Sequence, residues 1–469
     1  MVKAITMLTL VLVLATGSAF AGAHPGGIAR EIALGGGPLN PSGTGPNLIL
    51  NPFVHDDPTI MLLNPAYQGM YRDYAWMNIG GGTLNGMTTG DNGYGSQFAG
   101  VNFAYGKELA FGANLSFDPS FTNFLASQLQ GYVNGVSGRA SQGIPPPIDV
   151  FEVVASYDMG SMDLGFAFMY GWSSNTFKGS STPPAASADN ELSARVMGFR
   201  AGIVWDLGGG TSFDLDAAIR LDKATDKLSQ SPAPAATPLG EYSISATEIQ
   251  IDGRFKLKMS NKVNFVPYAT FVTISAEPKQ DTPPTPTSTA TLPSFKLSAM
   301  MLCVGAGMEY KINNFYFAGG VSYKTANYKQ ERTAAAPATN SSKTTTSMTG
   351  LPVINLGIEW TLTDWLTGRM GYYRAFQSNT TKNEASNPAV NSSSESETSL
   401  WFGNSNAPYG GGFGGPDNSL ITLGLGLKFG NFALDGTVSE EALRRGLGLI
   451  GAQDNINTFG YLTASYCFE

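Results

Sequence analysis

Turn rhythm limits the fold of this chain more than any other feature. Tight turns rich in Gly, Asn, Asp and Ser recur about every 50 residues, each between two alternating apolar segments. They read AYGKELAF (Ala104–Phe111), YDMGSMDLGF (Tyr157–Phe166), WDLGGGTSF (Trp205–Phe213), KMSNKVNF (Lys258–Phe265), YKINNFYF (Tyr310–Phe317), WTLTDWL (Trp360–Leu366) and KFGNFAL (Lys428–Leu434). These residue types supply the tight-turn chemistry of hairpins. Between the turns lie long polar connections such as GSSTPPAASADN, EPKQDTPPTPTSTAT, the Thr/Ser/Asn-rich stretch Arg332–Ser347 and the insertion Gln377–Asp417. Short turns on one side and long loops on the other are the signature of a transmembrane β-barrel. A propeller would repeat a four-strand blade motif, and none is visible.

Sixteen alternating segments can be drawn, from about 74–82 to about 459–468. An even number places both ends in the periplasm, as bacterial barrels require. If the first segment belongs to a plug, fourteen strands remain, so the expected fold is an all-β transmembrane antiparallel barrel of 14 to 16 strands. The alternation also assigns faces. Phe213, Leu215, Ala217, Ile219 and Leu221 alternate with Asp214, Asp216 and Arg220, and Ile249, Ile251, Phe255 and Leu257 alternate with Gln250, Asp252, Arg254 and Lys256. One face suits hydrocarbon and the other water. Tyr157, Trp205, Tyr310, Trp360 and Trp365 beside the turns fit an interfacial girdle. The aromatic C-terminal segment FGYLTASYCFE resembles the strand that outer-membrane insertion machinery reads.

The ends and the composition agree. Lys3, the apolar run Ile5–Ala15 and Ala19-Phe20-Ala21 form the three-part pattern of a secretory signal, giving expected parts 1–21 (signal), 22–73 (leader with hatch or plug) and 74–469 (barrel). Beyond the signal no apolar run reaches the roughly 18 residues of a membrane helix. A net charge of −8 argues against nucleic acid as a partner. The only two cysteines, Cys303 and Cys467, fall on non-neighbouring segments and are expected to stay unpaired.

On the expected inner face stand Glu152, Arg200, Asp214, Asp216, Arg220, Asp252, Arg254, Lys256, Glu359, Arg369 and Asp435. Both signs occur. They can brace a wide interior as pairs, or line a permeation path. A barrel of this strand number holds either an aqueous channel or a plug.

Ahead of the barrel, after a Gly/Pro-rich leader, stands Asn64-Pro65-Ala66. This arrangement resembles the FadL/TodX family of outer-membrane transporters, which move long-chain fatty acids and other hydrophobic compounds. The resemblance implies an N-terminal hatch, an apolar pocket in the lumen and a strand kink opening sideways. Pro267, which interrupts Val263–Ala276, is the residue for such a kink or for a tolerated bulge. Asn is a favoured helix N-cap and proline a favoured first helical residue. Asn64-Pro65-Ala66 therefore reads as a helix start, with Ala66, Met70 and Tyr74, together with Tyr67 and Tyr71, along one side and Ile60–Leu63 packed beside it.

His55, Asp56 and Asp57 read as a solvated loop rather than metal ligands, and no cofactor is expected. Both histidines, His24 and His55, precede the barrel, so no His–nucleophile pair of a barrel hydrolase is expected. Ser439–Leu449 could form a short external helix. The expected function is passive uptake of hydrophobic small molecules across the bacterial outer membrane, in contact with its lipids. The alternatives are a diffusion porin for small polar solutes and a structural or adhesive surface barrel. Nothing in the sequence fixes the oligomeric state.

Overall fold

The computed structural model describes residues 26–38, 49–80, 97–117, 150–181, 186–231, 240–280, 294–333, 341–386, 391–400, 419–439 and 459–468. The leader over 1–21 and the helix expected over Ser439–Leu449 (apart from Ser439 itself) lie outside these residues. Two-residue strands β1 (Gly37–Pro38) and β2 (Ile49–Leu50) pair with each other. The helices α1 (Ile28–Ala33) and α2 (Ile60–Leu63) and a 3-10 turn over Pro65–Met70 complete the N-terminal segment.

The barrel strands are β3 (Tyr74–Gly80), β4 (Gln97–Tyr105), β5 (Leu109–Phe117), β6 (Val150–Asp158), β7 (Met162–Ser181), β8 (Ala186–Gly208), β9 (Thr211–Ser231) and β10 (Gly240–Lys258). Then follow β11 (Val263–Gln280), β12 (Ser294–Ile312), β13 (Phe315–Thr333), β14 (Ser341–Thr363), β15 (Leu366–Ser386), β16 (Asn391–Leu400), β17 (Ser419–Phe429), β18 (Phe432–Ser439) and β19 (Phe459–Cys467). Every pairing is antiparallel, and β19 meets β3 to close the wall. β15 bonds β17 along its lower half and β16 along its upper half. Sixteen strands therefore close the barrel near the short turns, and β16 is an addition above β17. The turns are as tight as their sequences demand: Gly106, Gly160 and Gly430 take left-handed backbone angles that other residues adopt at a cost.

Two expected loops are largely strand. β13 runs on to Thr333 and β14 starts at Ser341, inside the stretch expected as loop over Arg332–Ser347. β15 and β16 fill much of the expected insertion Gln377–Asp417. The reason lies in the solvent. These strands extend past the membrane, where a polar outward face is what water favours, so apolar alternation no longer marks them. The extension is one-sided: β7 to β15 have 18 to 23 residues, whereas β3 to β6 have 7 to 9.

Along these strands the apolar face changes sides. On β10, Ile249, Ile251 and Phe255 point outward and are exposed, while Glu248, Asp252 and Arg254 point inward. Higher on the same strand Tyr242, Ile244 and Ala246 point inward and are buried, with exposed Ser245 and Thr247 outside. The pairing with β9 is unbroken from Gly240↔Leu228 to Lys256↔Ser212. No bulge shifts the faces; the environment on each side changes instead.

Pro267 causes no register shift. Its ladder to β12 is intact at Pro267↔Ala306. On the other side, pairing with β10 stops at Arg254↔Tyr268 and resumes in register at Leu257↔Phe265. The missing N–H of proline thus opens a two-rung gap between β10 and β11.

Candidate functional site

The described N-terminal segment lies inside the barrel, held by the inward charges of the wall. Arg369 donates to Glu359 at 2.6 Å and also pairs with Asp435. Glu359 accepts from Arg30 of α1 at 2.8 Å, and Asp435 accepts from the Gly26 amide at 2.9 Å. Across the lumen Arg254 pairs with Asp214 at 3.1 Å and donates to the Val54 carbonyl at 3.0 Å. Tyr67 donates to Asp214 at 2.6 Å. Arg200 pairs with Glu152 and donates to the Leu62 carbonyl. Charges that could have lined a polar pore are spent on the segment and on one another.

Not every inward charge joins in. Arg220 pairs with Asp222 of its own strand at 3.1 Å, higher up. Asp216 and Asp252 border a cavity of about 40 Å3 beside Asn64. Lys256 stands half-buried on the same inward face.

Asn64-Pro65-Ala66 is seated on the wall itself. Asn64 caps the following turn by accepting from the Ala66 amide at 2.9 Å. Its amide group donates to the carbonyls of Ile203 and Leu215 at 3.2 and 3.3 Å, tying it to β8 and β9. The turn is 3-10 rather than α, ending at Met70. Tyr67 near its start is buried, whereas Met70, expected on the buried side, closes the turn and is 52% exposed. Tyr71 is buried against Tyr74.

The seat is made of glycines. Gly165 and Gly202 pair across β7 and β8 on the inward face. A Cβ on Gly202 would overlap the Asn64 side chain, and one on Gly165 would overlap the Pro65–Ala66 backbone. Paired Gly307 and Gly320 receive the Phe53 ring in the same way, and paired Gly357 and Gly371 receive Leu34 and Gly35. Sequence reasoning missed these glycines, together with Asn102, Glu309, Asn355, Thr422 and Thr463. Asn355 donates to the Gly35 carbonyl at 2.8 Å, Thr422 to the Ile32 carbonyl at 2.7 Å, and Glu309 accepts from the His55 amide at 2.8 Å. The available signal was parity: each sits at an inward position.

The loop expected over His55, Asp56 and Asp57 is solvated only at Asp56. Asp57 is buried, accepting from the Gly27 amide, the Thr59 hydroxyl and Arg30 at 2.7 to 3.1 Å. It binds α1 to the start of α2, which is why burial does not expel it. The His55 ring meets Tyr67 at 3.2 Å. Burial, then the charges of Arg254 and Lys256, push the His55 imidazole well below its ordinary pKa. Cys303 and Cys467 are both free and buried, as expected.

Above this polar layer the inner wall carries an apolar cluster, interrupted on β9 by the inward Asp222 and Asp226. Leu192, Tyr242, Ile244, Val272, Ile274, Leu297, Met301 and Met348 belong to one buried cluster spanning β8 to β14. At its floor Tyr268 bridges Ser322 at 2.7 Å and Cys303 at 3.1 Å, beside the inward Lys324.

Outside, large apolar side chains from Phe111 to Phe429 are exposed around the wall, with Trp205, Tyr310, Trp360 and Trp365 near the short turns. An apolar outer band with an aromatic rim is the surface of a lipid-embedded barrel. The chain is a β-barrel of the bacterial outer membrane whose lumen contains its own N-terminal segment.

No family model matches the chain, and no curated protein does. Among solved structures it is similar to the toluene transporter TbuX of Ralstonia pickettii, at 15% identity over 77% of this chain and 97% of that one, with a TM-score of 0.36. It is also similar to a FadL homologue of Pseudomonas aeruginosa, at 12% identity over 97% and 100%, with a TM-score of 0.37. The toluene transporter TodX of Pseudomonas putida matches at 9% identity over 95% and 96%, with a TM-score of 0.33.

Proposed function

We propose that this barrel carries hydrophobic small molecules, long-chain fatty acids among them, passively across the outer membrane, with residues 22–73 as its hatch. The observation that carries the reading is the stacking of two unlike layers in one lumen. Toward the extracellular side the inner wall carries a buried, mainly apolar cluster, and below it a polar layer fastens the N-terminal segment to the wall. A hydrophobic solute leaving water gains roughly 25 cal/mol per Å2 of apolar surface buried in the upper layer. It passes further only when the hatch yields. Asn64, Pro65, Ala66, Tyr67 and Tyr71 form the part of the hatch pressed on the wall, and the role is transport rather than catalysis.

Deleting Pro25–Tyr71 and recording planar-bilayer conductance together with fatty-acid uptake tests this. The expected result is a near-silent full-length protein and a deletion variant with large, steady, salt-dependent steps and altered uptake. A full-length protein that already conducts steadily, with uptake unchanged by the deletion, would sink the reading. Most of the inward charges that favoured a porin, Arg200, Asp214, Arg254, Glu359, Arg369 and Asp435 among them, are engaged with the segment and with one another, so the transport reading is preferred to the porin.

A further inference from the structure

The outer wall carries a groove of about 720 Å3 across β5 to β10, at mid-membrane height and lined almost wholly by apolar side chains. Its floor is a run of small outward residues, Ala155, Ala201 and Ala217, and its sides are Phe166, Phe199 and Ile219. Ala201 and Ala217 are cross-strand partners, and so are Phe199 and Ile219 one outward rung higher. The last apolar outward rung above them is Met197↔Leu221, and the next outward rung is Arg195↔Lys223. Two cations thus stand side by side where the outer face passes from hydrocarbon to water. They lie four residues above the top of the groove, about 13 Å along the strands at 3.3 Å per residue. Trp172, 68% exposed, is the partner of Arg195 on β7. Two rungs further out Lys227 lies between Glu191 and Glu241, so the patch of three cations and two carboxylates keeps one net positive charge.

We infer that this face is a binding site for an anionic, phosphate-bearing lipid of the outer leaflet, with one acyl chain in the alanine-floored groove and its phosphate on Arg195 and Lys223. Position selects the occupant. The groove opens only to the hydrocarbon, where acyl chains are the available guests, and the cations sit at headgroup depth on the extracellular side. Basic side chains at headgroup depth attract anionic lipids, and guanidinium and ammonium together suit a phosphate. The groove also backs onto the hatch seat: Phe166 and Ala201 directly adjoin Gly165 and Gly202 in sequence, so a seated chain would brace the wall that Asn64-Pro65-Ala66 presses from inside. The site does not depend on the transport reading.

The test uses the full chain in phosphatidylcholine nanodiscs doped with lipid A or with dephosphorylated lipid A, followed by native mass spectrometry after mild delipidation. The wild type should retain lipid A, and removing its phosphates should lower retention at least tenfold. Arg195→Ala/Lys223→Ala should lower it likewise, and so should Ala201→Phe/Ala217→Phe, which fills the groove. Lys296→Ala, an outward cation on β12 away from the groove, should leave it unchanged. Folding is checked by heat-shifted gel migration, with Ala201→Leu as the milder groove variant if the double substitution does not assemble. Retention that ignores the phosphates, or that both variants keep at the wild-type level, overturns the site. Loss in the cation variant alone overturns the groove, and loss in Lys296→Ala overturns the location.

Discussion

The lower and upper halves of the lumen are built from the same strands and solve opposite problems. Near the short turns the wall faces lipid outside, so its inward side chains are free to be polar, and Arg200, Asp214, Arg254, Glu359, Arg369 and Asp435 fasten the segment through charges and carbonyls. Further up the wall faces water outside, so Ser245 and Thr247 turn outward and Tyr242 and Ile244 turn inward. The register does not slip between the two levels. Which face of a strand is apolar is therefore a property of its surroundings at each height, and one continuous β-ladder can carry both answers.

The strongest way to break this comparison is to strip the lower half of a charge. Arg369→Ala leaves Glu359 and Asp435 without their shared guanidinium, and removing one partner of a buried pair costs about 3–5 kcal/mol. Planar-bilayer recordings should show frequent opening, and the segment should become sensitive to protease. The upper half should respond differently. Ile244→Ala removes buried apolar surface, at about 2–5 kcal/mol for such truncations, and should lower hydrophobic uptake while conductance stays silent. Gly202→Ala tests the seat: its Cβ would meet Asn64, and overpacking of this kind costs about 1–3 kcal/mol. Opening events should rise, less than for Arg369→Ala. Asn64→Ala removes a cap worth about 1 kcal/mol and should give a smaller rise of the same kind.

The smallest expected effect is one of pH. A histidine whose pKa is lowered by burial is destabilising only when protonated, so the unfastened state binds more protons than the fastened one below the ordinary value of about 6.5. Fastening is then complete at neutral pH and weakens as pH falls below that value. Opening frequency should rise between pH 7 and pH 5 and lose this dependence in His55→Gln. A pH-independent wild type would remove His55 from the latch.

The legible part of the fold came from turns and alternation. Gly106, Gly160 and Asn313 mark turns that the flanking alternating segments require, and the inward charges were readable from parity alone. The seat glycines were not. Gly165 and Gly202 look like ordinary strand glycines until the segment they touch is in place. The strands over Arg332–Thr333 and Ser341–Ser347 were hidden because Thr, Ser and Asn read as loop when alternation is scored by hydrocarbon preference. Asp57 read as solvated because its partners, Gly27, Arg30 and Thr59, are brought together only by the fold of the segment.

By itself the sequence determined that the chain is an antiparallel barrel with short turns on one side, that the charged residues of its regularly alternating segments face inward, and that a capped turn begins at Asn64. These follow from period-two alternation and local turn chemistry, which act within a few residues. Only the tertiary structure decided which inward charges meet which partner, that the segment rests on paired glycines, and where along each strand the apolar face changes sides. Those outcomes depend on groups hundreds of residues apart, such as Gly26 and Asp435, and on what lies outside the wall at each height. Neither is encoded in any short stretch of the chain.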